Sequence, residues 1–577
     1  MAPGLVAPRS TPRSLVAATL ALVLVISGCS DTKDRPSVAG KDDTASECGE
    51  LQFDAEAPSG GTFVDYASLS DAGTTIGFDP GVVQTLAEAQ ITTAIFDGLT
   101  EFDYTKKCDP VLKGEVAESW EVNDDATEFT FEIGEGEVFS NGLPVLPSNF
   151  KLAWERAGSV ELASPTNYLI GLIEGSDELF DGTASDLSGV IADDEAGTLS
   201  VTLSSPNAEF PAIVTHPIFS PVDTADLQAI GLTTGWGTAG MSIGNGPFML
   251  KSADEEQVVL VPSPTWSGNV YGDTEVKVDE LVFMQSTDAQ SAYQSFVDGE
   301  GSSAPVPPGK VAEAKGSSAS NSLDAPNLGT AFFSFGYEDP QVGGPDNVKL
   351  RQAISLSIDR QEISDDVFEA SRPVATGLAP PGTPGYRAGL CEFCEHDPER
   401  ARELFDEWVD DGGELTEPIR IEFDAGTSNE AVAQIVQSNV QDALDIELEL
   451  GGIADEYFVS VAQQGGCQLC RAGWYADAPT YGAFLVDSFS SASIGGNNLG
   501  RFDDPAFDEV LNQAQSEIVD AKRSKLHQRA EALVLNEQTV AVPLTWYTGA
   551  QVFREGVVNF DQTPLGLMLW ERISVSG

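Results

Sequence analysis

The sequence predicts a mixed α/β fold of two lobes joined by more than one strand, and three observations lead there. Short runs rich in β-branched and aromatic residues alternate with helical patterns, without a fixed period or an internal repeat. The composition turns to Gly, Ser, Ala and Pro over residues 299–322, and a strand-like run follows at 331–335, as a crossover between lobes requires. Residues 547–577 are too few for a lobe of their own and are expected to return to the first one. The expected layout is lobe I over 59–325, lobe II over 326–546, and a C-terminal return over 547–577.

Strand runs are read at 62–65, 129–133, 199–203, 258–261, 280–284, 331–335, 419–423, 447–450 and 540–546, several closed by Gly, Pro or Asp. Helical patterns are read at 83–96, 348–357, 398–408, 429–443 and 505–536. The third opens after Asp397 with Pro398, an acceptor side chain followed by a residue that has no N–H to leave unpaired.

With 41% hydrophobic residues in 577, the chain can bury a core and is not disordered. Thirty Lys plus Arg stand against 91 Asp plus Glu, a formal charge of −61. Such a surface repels nucleic-acid phosphates and anionic lipid, so nucleic acid is not an expected partner.

Arg9 and Arg13 lie in an acid-free stretch, an apolar run follows from Leu15 to Ile26, and Ile26-Ser27-Gly28-Cys29 closes it. This order predicts a signal peptide over residues 1–28. The apolar run is too short to span a bilayer permanently, and the small residues before Cys29 predict cleavage there and lipidation of that cysteine. Residues 29–58, rich in Ser, Asp, Gly and Pro, read as a lipidated N-terminus and flexible tether. The protein is therefore expected on the extracellular face of the cell membrane, held by a lipid anchor.

Six further cysteines remain: Cys48, Cys108, Cys391, Cys394, Cys467 and Cys470. The last four form two Cys-x-x-Cys pairs, but the 72 residues between them far exceed the spacing of a zinc ribbon. An exported chain meets oxidising conditions, so three disulfides are expected: Cys48 with Cys108, and the other four either within each pair or crossed.

No Gly-x-Ser-x-Gly, phosphate loop or His-Glu-x-x-His occurs, and no Gly-x-Gly-x-x-Gly follows a strand. His216, His396 and His527 each sit in a context that explains them structurally, and adjacent acids such as Asp124/Asp125 arise by chance among so many. No enzyme activity, metal or cofactor is expected.

Four stretches, read together, resemble the extracellular solute-binding proteins of family 5, the peptide and nickel receptors of ATP-driven importers. Residues 94–154 carry Ala94-Ile95-Phe96-Asp97-Gly98-Leu99, Ala117-Glu118-Ser119-Trp120-Glu121, Phe129-Thr130-Phe131-Glu132-Ile133 and Val138-Phe139-Ser140-Asn141-Gly142. Gly134 departs from the Arg or Lys usual in that family. Gly244-Asn245-Gly246-Pro247-Phe248 is similar to a family turn, and Val348 to Ala353 with Ile358-Asp359-Arg360 forms the third stretch. Arg471-Ala472-Gly473-Trp474-Tyr475-Ala476-Asp477 is the fourth.

The resemblance implies a two-lobed periplasmic-binding-protein-like fold with hinge strands and an extra subdomain in the first lobe. It implies a monomeric receptor that passes peptides to a membrane permease of an ABC importer. Within the same fold, nickel chelates, oligosaccharides or opines are the alternative ligands; a secreted hydrolase is the alternative of another class. Trp120, Phe129 and Phe131 are expected to build a core, and Arg351 and Asp359 a helix face or ion pair. In peptide receptors resembling this one, an Asp at the position of Asp477 holds the ligand ammonium and a Trp at that of Trp474 lines its pocket. Arg471 stands where such receptors place a cation toward the ligand carboxylate. A turn before Pro479 is the structural alternative for Asp477, and a salt bridge that for Arg471.

Overall fold

The structure, a computed structural model, describes residues 50–576 except 52, 68–69, 72–73, 76–77, 225–242, 318–319 and 455. The expected signal peptide, Cys29 and Cys48 lie outside the described residues, as does most of the tether. No helix among the described residues is long and apolar enough to cross a membrane.

Lobe I is built on a four-stranded sheet ordered Thr62–Ala67, Glu280–Gln285, Gln257–Pro262, Phe248–Ala253. Helix Leu86–Ile95 covers it and begins with a reciprocal cap, in which Thr85 accepts from the Glu88 N–H and Glu88 from the Thr85 N–H. The chain's last segment completes this core: Trp570 packs edge-on against Phe283 at 5.2 Å and near Phe63 at 6.0 Å. Its indole N–H, buried with the ring, donates to the Gln90 carbonyl at 3.0 Å.

A second, antiparallel sheet ordered Ala117–Val122, Glu128–Ile133, Thr198–Thr202, Val190–Asp193 forms the extra subdomain with its own core. Phe129 and Phe131 alternate inward from one strand, and helix Pro147–Ala157 adds Trp154, edge-on to Phe219 at 5.2 Å. Arg156 of that helix forms a two-pronged ion pair with Asp79 of lobe I, both residues being buried. This contact ties the subdomain to lobe I through a geometry that satisfies both charged groups.

A six-stranded mixed sheet runs from lobe I into lobe II, ordered Ser303–Pro305, Ala541–Phe553, Asn321–Phe335, Leu469–Tyr475, Ile419–Asp424, Leu448–Ile453. Its middle strands are buried on both faces: Phe332 enters one core, while Phe333 and Phe335 enter the other. That is why the Ala-Phe-Phe-Ser-Phe run lacks polar alternation. Helix Pro398–Asp410 starts where Asp397 accepts from the Arg400 N–H at 2.9 Å.

Two long strands cross between the lobes. Residues 321–326 of Asn321–Phe335 pair with 553–548 of Ala541–Phe553, and 330–334 pair with 546–541, the register breaking between Pro326 and Thr330. Leu323 and Phe553 pack into lobe I beyond the break, Phe333 and Val542 into lobe II before it. Pro326 brings no N–H to the ladder and Gly329 no side chain, so the break falls where pairing is weakest.

The helix expected over 505–536 is two helices, Pro505–Ser516 and Asp520–Ala532. Glu517 and Val519 are extended, and the Glu517 carboxylate takes the Val519 N–H at 2.9 Å. A β-branched pair, Ile518-Val519, next to a side chain that competes for the backbone ends the first helix. Cys391 is bonded to Cys394 and Cys467 to Cys470, the neighbouring arrangement of the two left open by sequence. Cys108 is also disulfide-bonded, and its expected partner Cys48 lies outside the described residues. Among the described residues no group of three or more His, Cys, Asp and Glu is arranged to hold a metal ion.

Candidate functional site

The strand Leu469–Tyr475 runs antiparallel to the first crossover strand, Tyr475 opposite Gly329 at the register break. Its side chains alternate across the sheet. Cys470, Ala472 and Trp474 face one core, Leu469 the other. Past the strand the chain leaves the sheet, with the Ala476 N–H bonded to the Leu328 carbonyl at 2.8 Å, and delivers Asp477 to lobe I.

There the Tyr168 hydroxyl donates to Asp477 Oδ2 at 2.6 Å. Tyr168 belongs to the short 3-10 helix Asn167–Leu172 of the extra subdomain and is about half exposed. Asp487, on the short helix Val486–Phe489, adds a second carboxylate. Burial raises the Asp477 carboxyl above its ordinary range, opposed by the Tyr168 hydrogen bond. The Asp487 carboxyl is pushed up to about 6, by burial first and the Asp477 charge second. Burial and both carboxylates raise the Tyr168 hydroxyl. Neither acid has a basic partner among the described residues.

Trp474 is partly buried, and its indole N–H has no hydrogen-bond partner among the described residues. Arg471 leaves the strand on the face opposite Trp474, 3.6 Å from Asp424 and 5.4 Å from the Phe458 ring. The structure thus groups Asp477 with Tyr168 and Asp487, sets Trp474 three positions upstream, and sends Arg471 to the sheet face opposite Trp474, beside Asp424 and Phe458. Tyr168 and Asp487 carry no signal in the sequence: one is a loop tyrosine, the other one of 91 acids.

Other contacts join the same two lobes. Glu209 accepts from the backbone N–H groups of Tyr481 at 3.1 Å and Gly482 at 3.0 Å. A cavity of about 590 Å³ opens here, lined among others by Trp120, Val122, Glu209, Thr480, Ile518 and His527. Pro479, two residues beyond Asp477, is part of its wall. His527 is buried, its ring stacked on that of Tyr481, and burial lowers its pKa. His216 accepts from the Ile218 N–H at 3.2 Å, Arg351 donates to three backbone carbonyls, and Asp359 caps helix Arg360–Phe368. These are structural tasks.

The model of the bacterial extracellular solute-binding proteins, family 5, matches residues 111–496. The chain is 27% identical over 526 residues to the periplasmic oligopeptide-binding protein OppA of Escherichia coli (strain K12), covering 89% of this chain and 93% of that one. It is 24% identical over 502 residues to the dipeptide-binding protein DppE of Bacillus subtilis (strain 168), covering 85% and 88%. Among solved structures, the unliganded open form of the periplasmic murein tripeptide binding protein MppA superposes with a TM-score of 0.77 at 22% identity, covering 89% of this chain and 97% of that one. That last likeness is one of fold, two lobes included. With two thirds of its length matched by the family model and nearly all of it aligned to such relatives, the chain belongs to the bacterial extracellular solute-binding proteins of family 5.

Proposed function

We propose that this protein is the receptor of an ABC importer, closing over a di- or oligopeptide between its lobes and delivering it to a membrane permease without chemistry of its own. The observation that carries the reading is the pair Asp477 and Asp487: two carboxylates facing the other lobe, one bonded to a hydroxyl, with no base beside them among the described residues. Carboxylates held out of water are stabilised by a cation, and the ammonium of a free peptide N-terminus supplies one with three donors. Trp474 would line the anchor. The neighbouring cavity is of the size that ligand side chains fill. Because Tyr168 and Asp477 sit on different lobes, a ligand at this point favours the closed arrangement, and the crossover strands supply the hinge.

Three compared proteins bear names that specify peptides: an oligopeptide, a dipeptide and a murein tripeptide. We read the protein as a monomer tethered through lipid on Cys29. Titration calorimetry with a peptide and its N-acetylated form tests the reading. The free form should bind at least about a hundredfold more tightly, since acetylation removes the charge that the carboxylates meet. Equal affinities would overturn it.

A further inference from the structure

Two consecutive residues of the extra subdomain reach across to lobe II. The Ala208 N–H donates to the Gln515 carbonyl, on helix Pro505–Ser516, at 2.7 Å. Glu209 spreads its two oxygens over two consecutive donors, Oε1 on the Tyr481 N–H at 3.1 Å and Oε2 on the Gly482 N–H at 3.0 Å. Both ends of this contact are held by their own lobes. On the subdomain side the next residue, Phe210, is buried with its ring 5.3 Å from that of Phe129 and 6.1 Å from that of Phe219, and the Glu209 N–H donates to the Asn207 side chain at 3.0 Å. On the lobe II side the Tyr481 ring stacks on that of His527. Its hydroxyl donates to the buried Glu531, which also takes the Leu378 N–H at 2.6 Å.

The point that Glu209 grips lies between the two acids of the cleft. Tyr481 comes four residues after Asp477 and Gly482 five before Asp487, so the contact falls in the middle of the segment that carries both carboxylates. Tyr481, Phe484, Leu485 and Phe489 of that segment are buried in one lobe II core, so a grip on Tyr481 and Gly482 is a grip on the whole of it. Gly482 opens the helical turn Gly482–Phe484, and an added Cβ there would stand 2.4 Å from Glu209 Oε2. Its nearest contact outside Glu209 would be Val486 at an ordinary 3.7 Å. Among the described residues Glu209 has no lysine or arginine partner, and His527 Nε2, 3.9 Å from Oε2, is beyond hydrogen-bond reach. The carboxylate therefore depends on two backbone donors of the other lobe.

Hydrogen bonds to a carboxylate are charge-assisted, and separating the lobes removes both at once. A contact present only while the lobes meet shifts the balance toward closure. A ligand entering the open receptor does not meet it, so its effect falls on release.

We propose that Glu209 is a closing latch: by holding Tyr481 and Gly482 from the other lobe it fixes the segment that presents Asp477 and Asp487, and so slows release of the ligand. It is a positioning residue, acting through those two acids, and the proposal rests on the receptor reading, which it deepens.

Stopped-flow binding of trialanine, and small-angle X-ray scattering with and without it, test the latch on the wild type, Glu209→Ala, Glu209→Gln, Gly482→Ala and the double variant Glu209→Ala/Gly482→Ala. Glu209→Ala should release the peptide at least about tenfold faster with its association rate nearly unchanged, and its ligand-free form should have the larger radius of gyration. Glu209→Gln keeps one acceptor oxygen and should fall between. Gly482→Ala displaces the carboxylate from the lobe II side and should also speed release, which keeps the test open if Glu209→Ala does not fold. In the double variant the added methyl has nothing left to displace, so the two losses should not add. A Glu209 with a merely structural role would lower the melting temperature and leave the release rate alone. A wild-type release rate in Glu209→Ala, or losses that add in the double variant, overturns the proposal and leaves the carboxylate anchor standing. A wild type that binds no trialanine counts against the peptide reading instead, and scattering without ligand then decides: a larger radius for Glu209→Ala upholds the latch, and equal radii overturn it.

Discussion

Tyr168 and Asp477 meet at 2.6 Å, although 309 positions separate them in sequence. The hydroxyl donates and the carboxylate accepts, so one hydrogen bond joins a subdomain of lobe I to the end of a lobe II strand. A ligand ammonium would join this acceptor without needing the hydroxyl to leave, since a carboxylate has acceptor positions to spare. Asp477→Asn is therefore expected to weaken binding of a free-amino peptide at least about a hundredfold, and Tyr168→Phe by about tenfold or less. Both proteins should melt close to the wild type. A Tyr168→Phe loss as large as that of Asp477→Asn would make the hydroxyl itself the anchor.

Asp487 gives the site a pH dependence. Its carboxyl is pushed up to about 6 by burial and by the Asp477 charge, and the groups facing the pair are the Tyr168 hydroxyl and the two carboxylates themselves. Protonation removes negative charge from the cleft, so affinity for an ammonium should fall as the pH drops from 7.5 through about 6 to 5. Stability should move the other way. The folded protein binds the extra proton between 3.8 and about 6, so this group's contribution to stability increases as the pH falls through that window. Calorimetry across the range in the wild type and in Asp487→Asn checks both signs; the variant should lose the upper part of each change.

How much of this was legible depended on distance along the chain. Asp397 followed by Pro398, or the apolar run at 331–335, declares itself within a few residues, because a cap and a doubly buried strand are local matters. Asp477 and Trp474 came from a seven-residue motif. Tyr168 and Asp487 did not, because each acquires its meaning from side chains brought up by the fold: a carboxylate on the other lobe and a second acid. The merged helix at 505–536 has a different cause, since the backbone switch at Glu517–Val519 interrupts the pattern too briefly for periodicity to register. Arg471, which the sequence leaves between a ligand carboxylate and a salt bridge, lies 3.6 Å from Asp424 on the face opposite Trp474.

The ion pair between Arg156 and Asp79 should be the costliest polar contact to break between lobe I and its extra subdomain. Asp79 is 5% exposed and Arg156 4%, so neither charge could fall back on water. Asp79→Asn is expected to lower unfolding stability by about 3–5 kcal/mol, measured by urea denaturation. Replacing both by apolar residues, Asp79→Leu with Arg156→Met, should recover most of that loss, because no charge is then left buried. A double variant as unstable as the single one would show that the hydrogen-bond geometry, not the orphaned charge, carries the effect.

Membrane attachment is predicted to depend on Cys29 alone. Cys29→Ser should move the protein from the membrane fraction to the soluble one, since the expected cleavage would remove the apolar run before it and no helix among the described residues is long and apolar enough to cross a membrane. Fractionation followed by intact-mass measurement checks this: the wild type should carry the mass of a lipid group at its N-terminus. A variant that stays with the membrane at wild-type levels contradicts it.

Gly329 couples the hinge to the stacked rings of Tyr475 and Tyr547, whose centres are 4.4 Å apart. A Cβ at this position would stand 2.4 Å from Tyr547 Cδ2 and 2.9 Å from Tyr475 Cδ1, so the stacked pair occupies the space that any other residue needs. Gly329→Ala must push one ring aside, at an expected cost of about 1–3 kcal/mol in stability. Gly316→Ala, where an added Cβ meets nothing within 4 Å, is the matched control and should be close to neutral. If the cost arises from the rings, Tyr475→Ala should relieve part of it, and the double variant Gly329→Ala/Tyr475→Ala should lose less than the sum of the two single losses. Denaturation of the four proteins gives that coupling directly. Strictly additive losses would place the strain in the backbone between Pro326 and Thr330 and release the stacked rings from any part in how the crossover strands are held.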